Sequence, residues 1–248
     1  MDSLVSVVVP VYNASEHILG CIHSVLSQTY QQIEVIAIDD MSTDSSFSLL
    51  QSIRDERLVV LRNEKNSGVA YTRNKGIELS KGKYIAFLDA DDVWGLDKLR
   101  IQVDLMRETD AEFSCTAYEK VNRKGEVLCT IQVPEWIDKD IILKGNVVGC
   151  STVVCQASLF EKARFGSYEL SEDFVLWYEL LGRVDRFLGI STPLVKYLVS
   201  DNSRSSDKIK VVRYQWYIFR VVFKLSLSKS LYYYLLYLIK GFRRFKGF

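Results

Sequence analysis

Over the first 110 residues, short near-continuous apolar runs alternate with segments whose apolar positions recur at helical spacing. Val5-Ser6-Val7-Val8-Val9 reads as a strand stopped by Pro10. Residues 16–28 place Ile18, Leu19, Ile22, Val25 and Leu26 on one helical face. Glu34-Val35-Ile36-Ala37-Ile38 predicts a second strand, 45–53 a helix, 58–61 a third strand and 69–79 another helix. Tyr84-Ile85-Ala86-Phe87-Leu88 predicts a fourth strand ending at Asp89, with a helix to follow over 96–107. Strands this uniformly apolar are expected where both faces of a sheet are covered. Strand–helix alternation at this spacing means βαβ units, hence an α/β fold with a mostly parallel sheet.

The rhythm changes after Asp110. Residues 113–121 and 126–133 flank Asn122-Arg123-Lys124-Gly125 and predict a hairpin. The stretch 146–159 mixes small, polar and thiol side chains without a clear period. Ser171 stands as an N-cap before an apolar-rich helix over 174–181, and 187–199 holds one or two strands. From 208 on, two helices parted near 226–230 are crowded with Tyr, Trp, Phe, Leu, Val, Lys and Arg. The expected organisation is a domain over 1–206, divided into halves 1–110 and 111–206, and a helical tail over 207–248.

Charge sharpens that division. The chain of 248 residues has 32 basic and 31 acidic side chains, but none of the acidic ones lies beyond Asp207. Ten of the basic ones do, so residues 1–207 carry a net charge of −9 and the tail +10. A basic helix rich in aromatic residues suits an anionic membrane surface, with no nucleic-acid partner expected. The alternative is that the tail packs on the body or on another subunit, as a homodimer. No apolar run approaches the roughly 20 residues needed to span a bilayer, and no signal peptide is expected, since a strand begins within the first few residues. The five cysteines show no C-x-x-C pair and read as buried free thiols of a reducing compartment. His17 and His23, six residues apart, do not share a helix face, which argues against a histidine metal site.

Candidate chemistry gathers at the strand ends. Pro10-Val11-Tyr12-Asn13 follows the first strand and Asp39-Asp40-Met41-Ser42-Thr43-Asp44 the second. Asn66-Ser67-Gly68 opens the helix that carries Arg73, and Asp89-Ala90-Asp91-Asp92 ends the fourth strand. In an open α/β sheet, ligands bind at the carboxyl ends of the strands. Carboxylates this close repel one another unless a cation sits among them, and hard oxygen ligands suit Mg²⁺ or Mn²⁺ carrying substrate phosphates.

Together and in this order, these motifs resemble the nucleotide-sugar-binding half of the family 2 glycosyltransferases, closely over about 3–110 and more loosely over about 146–205. The resemblance implies a single Rossmann-like GT-A domain with a mixed, mostly parallel sheet, to which the C-terminal amphipathic helices are appended. It implies that Tyr12 stacks on a uracil, that Asp40 accepts from its N3–H while Asp39 supports the loop, and that Pro10, Asn13, Asn66, Gly68 and Ala90 line the nucleotide-sugar. Arg73 would pair with a phosphate or the uracil edge, Asp89 would bind the ribose or the metal's shell, and Asp91 would ligate Mn²⁺ or Mg²⁺. Ser171-Glu172-Asp173 is similar to the family's second acidic motif, which assigns Asp173 as general base and Glu172 as its fallback or as an orienting residue. Trp177, one turn on, is either a wall of the sugar pocket or core.

The activity implied is inverting transfer of a hexose or N-acetylhexosamine from a UDP-sugar to a hydroxyl of a glycan. The acceptor would be lipid-diphosphate-linked, at the inner face of the cytoplasmic membrane, in assembly of a surface polysaccharide such as O-antigen, capsule or exopolysaccharide. Two departures stand out. Met41 replaces the Gly usual in the family's D-D-G-S-T-D, so the turn is expected to avoid positive φ. Tyr197-Leu198-Val199-Ser200 lacks the Arg and His of the relatives' Tyr-Arg-x-His, leaving Arg204 as a substitute charge. The rival readings are a non-catalytic nucleotide-sugar-binding or scaffold protein and a sugar-nucleotide pyrophosphorylase. The latter resembles a chain with a Gly-rich basic loop after the first strand, which Pro10-Val11-Tyr12-Asn13-Ala14-Ser15 is not.

Overall fold

A computed structural model of the protein describes residues 2–199 and 208–245. Strands β1 (Val5–Val11), β2 (Ile33–Asp39), β3 (Leu58–Arg62) and β4 (Tyr84–Phe87) are separated by helices α1 (Ile18–Leu26), α2 (Ser46–Ser52) and α3 (Val69–Leu79). These four strands pair in parallel in the order β3-β2-β1-β4. The short β5 (Val93–Trp94) and α4 (Lys98–Thr109) lead into the second half. There β6 (Phe113–Val121), β7 (Val127–Ile131), β8 (Trp136–Ile137), α5 (Lys139–Leu143), β9 (Val154–Gln156), α6 (Glu172–Leu180) and β10 (Phe187–Leu198) extend the same sheet. β9 inserts antiparallel between β4 and β6, and β10 runs parallel to β6. The result is one mixed ten-stranded sheet. Both halves of the domain therefore share a single hydrogen-bonded layer.

Each face of that sheet is covered, as its apolar strands require. One hydrophobic cluster gathers α1, α2 and α4 residues such as Ile22, Leu50 and Val103 against Val7 and Val35. The opposite cluster gathers Ile77, Ile142 and α6 residues such as Trp177 against Val8, Phe87 and Phe113. Trp177 is fully buried, edge-on to Phe113 at 5.2 Å and to Phe165 at 5.8 Å. It belongs to the core and walls no pocket.

The tail is made of α7 (Lys208–Tyr217), a π-helical turn (Ile218–Val222) and α8 (Leu227–Phe245). Ile218 and Phe219 are fully buried in the α6-side cluster, and the Tyr233 hydroxyl donates to Asp140 Oδ1 at 2.8 Å. The tail's inner face thus packs on the body. Its outer face leaves Leu227, Leu231, Leu235 and Ile239 exposed, at steps of four along α8. No helix among the described residues is long and apolar enough to cross a membrane.

Two local expectations are corrected. Met41 sits at φ 61° despite its side chain. Ser42 N–H donating to Asp39 Oδ2 and the three N–H bonds on Asp40 hold the turn in the left-handed region, which costs an L-residue about 1 kcal/mol. Ser171 occupies the N-cap position of α6 but at φ 59°, and its side chain makes no cap bond. Asp173 Oδ1 accepts the Phe174 N–H at 2.7 Å instead.

Candidate active site

Pro10 opens the crevice. Residues of β1 whose N–H and C=O point toward β4 alternate, and Val8 is the last whose carbonyl is used there, by the Leu88 N–H. Pro10, two residues on, points the same way and has no N–H to give. Pairing with β4 ends at Val8–Phe87, whereas pairing with β2 continues to Val11–Asp39. The strand order reverses direction between β1 and β4, the place where ligands bind in such sheets. Tyr12, 51% exposed, stands at the rim of this gap.

On one side of it lies the β2 end. Asp40 is buried and receives three N–H donors: Asn63 Nδ2 at 2.8 Å and Ser67 N at 2.9 Å on Oδ1, and Gly68 N at 2.7 Å on Oδ2. Of a carboxylate's roughly four acceptor positions, one therefore remains, on Oδ2. Gly68 reaches this bond at φ 86°, which its lack of Cβ permits. The expected division of labour changes: Asp40 itself braces the 63–68 loop. Asp39 Oδ2 pairs with Arg62 Nε at 3.0 Å and accepts the Ser42 N–H at 3.1 Å, and its buried Oδ1 has no hydrogen-bond partner. Asn13 links this loop to β1 by accepting from Thr43 N at 2.8 Å. Asn66 is exposed and makes no such link, while the buried Asn63 does, held by the Lys75 ammonium at 3.0 Å.

On the other side lies the acidic loop, organised by Ser151. Its hydroxyl accepts the Asp89 N–H at 3.0 Å and donates to Asp92 Oδ2 at 2.5 Å, and its carbonyl accepts Trp94 Nε1–H at 2.8 Å. Asp92 Oδ1 in turn accepts the Leu198 N–H of β10 at 3.1 Å. Asp92 is thus fully buried as a strut, and Ala90 is buried beside it. Beneath the loop the buried Lys98 ammonium sits 3.9 Å from the Trp94 ring centre, and burial holds it well below the usual lysine range. Asp91 is left partly open. Burial, then the Asp89 charge, push its carboxyl up, and His17 pulls against them. His17, discounted as a ligand on spacing alone, thus lies at the start of α1 within electrostatic reach of this loop.

Arg73 is corrected most. It is 2% exposed, a buried bridge and not a group that reaches a phosphate or uracil edge. Nη2 pairs with Asp89 Oδ1 at 2.6 Å, Nη1 with Glu172 Oε1 at 2.9 Å, and the guanidinium lies 5.2 Å from the Phe165 ring centre. The two acidic motifs, 83 residues apart in sequence, thereby meet on one cation. Glu172 is tied down by it, and the neighbouring Asp173 remains partly exposed. Burial, then the Glu172 charge, push the Asp173 carboxyl up to about 6, with Arg73 opposing. Such a group gives and takes a proton near neutrality.

Among the described residues, no three His, Cys, Asp or Glu side chains converge to hold an ion unaided. The donor set nevertheless fits a hard divalent cation shared with a ligand. It is all oxygen, it lies at the crevice, and Asp91 is a crowded carboxylate whose proton affinity a cation would relieve. Arg204 lies outside the described residues. Tyr197 faces the acidic loop, and burial together with Asp92, Asp89 and Asp91 pushes its hydroxyl up.

Comparison with known proteins bears on this site as a whole. The Glycosyl transferase family 2 profile matches residues 6–141. A Bacillus subtilis protein named for teichuronic acid biosynthesis, the glycosyltransferase TuaG, is 36% identical over 92% of this chain and 91% of its own. An Escherichia coli UDP-Glc:alpha-D-GlcNAc-diphosphoundecaprenol beta-1,3-glucosyltransferase, WfgD, is 33% identical over 98% of this chain and 95% of its own. The crystal structure of S. aureus TarS 1–349 in complex with UDP-GlcNAc superposes with a TM-score of 0.72 at 20% identity, over 88% of this chain and 67% of that one. That likeness establishes the α/β architecture with its central sheet.

Proposed function

Because the chain belongs to glycosyl transferase family 2 and is a glycosyltransferase, we propose that it moves a hexose or N-acetylhexosamine from a UDP-sugar to a glycan hydroxyl, inverting the anomeric centre. Residues 1–110 take the donor and 111–206 the acceptor. The observation that carries this reading is Asp173: a partly open carboxyl with its pKa pushed up to about 6, beside a Glu172 that Arg73 ties to Asp89 of the acidic loop. Asp173 removes the proton from the acceptor hydroxyl as its oxygen forms the new bond to the anomeric carbon. The bond from that carbon to the diphosphate oxygen breaks in the same displacement, and its electron pair leaves with UDP.

The donor is held by residues of the crevice. The one open acceptor position on Asp40 matches the single N3–H of uracil, where cytosine presents an acceptor. Exposed Tyr12 supplies a face for the base. Asp91, with Asp89 in support, would hold Mn²⁺ or Mg²⁺ on the diphosphate. When bound, the ion neutralises charge developing on the leaving group. Arg73 keeps the Asp89 carboxylate in place, and Ser151 fixes the loop through the Asp89 N–H and the Asp92 carboxylate.

A lipid-diphosphate-linked acceptor in polysaccharide assembly is supported by the diphosphoundecaprenol-linked acceptor that WfgD is named for and by the teichuronic acid biosynthesis that TuaG is named for. Peripheral attachment at the cytoplasmic membrane face is supported by the exposed Leu227, Leu231, Leu235 and Ile239 stripe in a tail without acidic residues. A homodimer through this stripe is disfavoured, because it would oppose two tails of charge +10. The double substitution Leu231→Glu, Leu235→Glu is expected to abolish sedimentation with anionic vesicles while leaving UDP release to a soluble acceptor unchanged. Retained sedimentation would refute attachment through α8.

The direct test of the activity is UDP release with Mn²⁺ across a panel of UDP-sugars, with and without a lipid-diphosphate-sugar. Release with one donor, rising on addition of acceptor, is expected. Binding of UDP with no release under any combination would favour the non-catalytic binding role.

A further inference from the structure

The tail does more than face outward. Phe223, which closes the π-helical turn, stacks on Tyr178 of α6 with ring centres 3.8 Å apart and planes 21° apart. It also meets Phe174 edge-on at 5.2 Å. Phe174 and Tyr178 are one helical turn apart, so a single ring from the tail spans the outer side of the helix that bears Asp173. The inner side of the same helix is held by Trp177 among Phe87, Phe113 and Phe165. α6 is therefore gripped between the sheet and the tail. The local backbone is built to deliver this ring: the Phe223 N–H donates to Ile218 O at 2.8 Å, and Lys224 follows at φ 53°, turning the chain into α8. A π-turn is uncommon and is frequent at functional sites.

We infer that Phe223 is a positioning residue for the transfer reaction: it fixes α6 from outside and thereby sets where Asp173 stands relative to the crevice. This rests on the assignment of Asp173 as base. It also makes the tail part of the catalytic unit, independently of any membrane. A misplaced base is costly because displacement of about 1 Å at a reacting group can cost roughly 10²-fold.

The test uses the full-length protein and a soluble acceptor, which removes membrane delivery from the rate. Phe223→Leu keeps apolar bulk but loses the stack. It is expected to lower kcat by about tenfold to a hundredfold with KM for the UDP-sugar and UDP affinity unchanged. Amide exchange over Glu172–Leu180 is expected to quicken about tenfold or more as the helix loosens. Phe223→Tyr, which restores an aromatic ring, is expected to recover both. Wild-type exchange over α6 in Phe223→Leu would overturn the inference whatever the rate does. So would a lowered melting temperature with kcat intact, which marks a merely structural contact. Absence of sugar transfer by the wild type is a different failure: it sinks the transferase reading, and the exchange measurement still decides whether Phe223 holds α6.

Discussion

Asp173→Asn is expected to cut turnover about 10²- to 10⁴-fold, the usual contribution of a positioned general base, while UDP binding persists. The change is nearly isosteric: it removes the base, while the amide oxygen can still accept the Phe174 N–H. The same residue sets the acid limb of the pH profile. Its pKa is pushed up to about 6, and only the unprotonated form accepts a proton from the acceptor. kcat/KM of the wild type should therefore be level above this pH and fall about tenfold per unit below it, as protonation removes the base. Asp173→Asn should lose that limb. Because Glu172 and Asp173 interact, the observed midpoint belongs to the pair. Turnover by Asp173→Asn at the wild-type level would remove the residue from the mechanism. A full loss of UDP affinity would mean that it holds the donor.

Arg73→Met is expected to be the most damaging substitution for stability. Arg73 is 2% exposed and its guanidinium serves Asp89 and Glu172 together, so its removal leaves both carboxylates without their cation. Deleting one partner of a buried ion pair costs about 3–5 kcal/mol. For a chain of this size that corresponds to a fall in melting temperature of roughly 6–20 °C. Arg73→Lys should not restore it, since a single ammonium cannot make the forked contacts of a guanidinium. Glu172→Gln in the Arg73→Met background should recover part of the loss, because it removes one of the unpaired charges. A melting temperature within a degree or two of wild type would show that water or neighbouring groups compensate the carboxylates, and Arg73 would then be dispensable to the fold.

The parallel half of the sheet was legible because each strand is a near-continuous apolar run followed by polar residues. The crevice follows from those ends once the strand order is known. Other elements carry no local signal. Ser151 is one small polar residue in a stretch full of them, and its role arises only when β9 brings that stretch beside the fourth strand end. Arg73 looks like any basic residue on a helix, because burial of position 73 depends on α6 arriving 99 residues later. Asn63, and not Asn66, braces Asp40, a choice made by loop geometry that spacing cannot express. Met41 breaks a rule of residue preference because tertiary hydrogen bonds overrule it. The tail's amphipathic helices were recognisable, but periodicity cannot say which face finds a partner. That took the placement of Ile218, Phe219 and Phe223 against α6.

The Ser151 knot bears on how such enzymes could be re-engineered. A tempting route to a new acceptor is a chimaera: keep the first 110 residues of one relative and graft the remainder of another. Here the graft would carry away the hydroxyl that orients Asp89 and Asp92, the carbonyl that seats Trp94, and the carboxylate that balances Arg73. The seam between residues 1–110 and 111–206 runs through the acidic loop itself. Recombination should succeed only between parents that agree at Ser151, Glu172 and Arg73, and acceptor preference is better altered by exchanging the segments between those anchors.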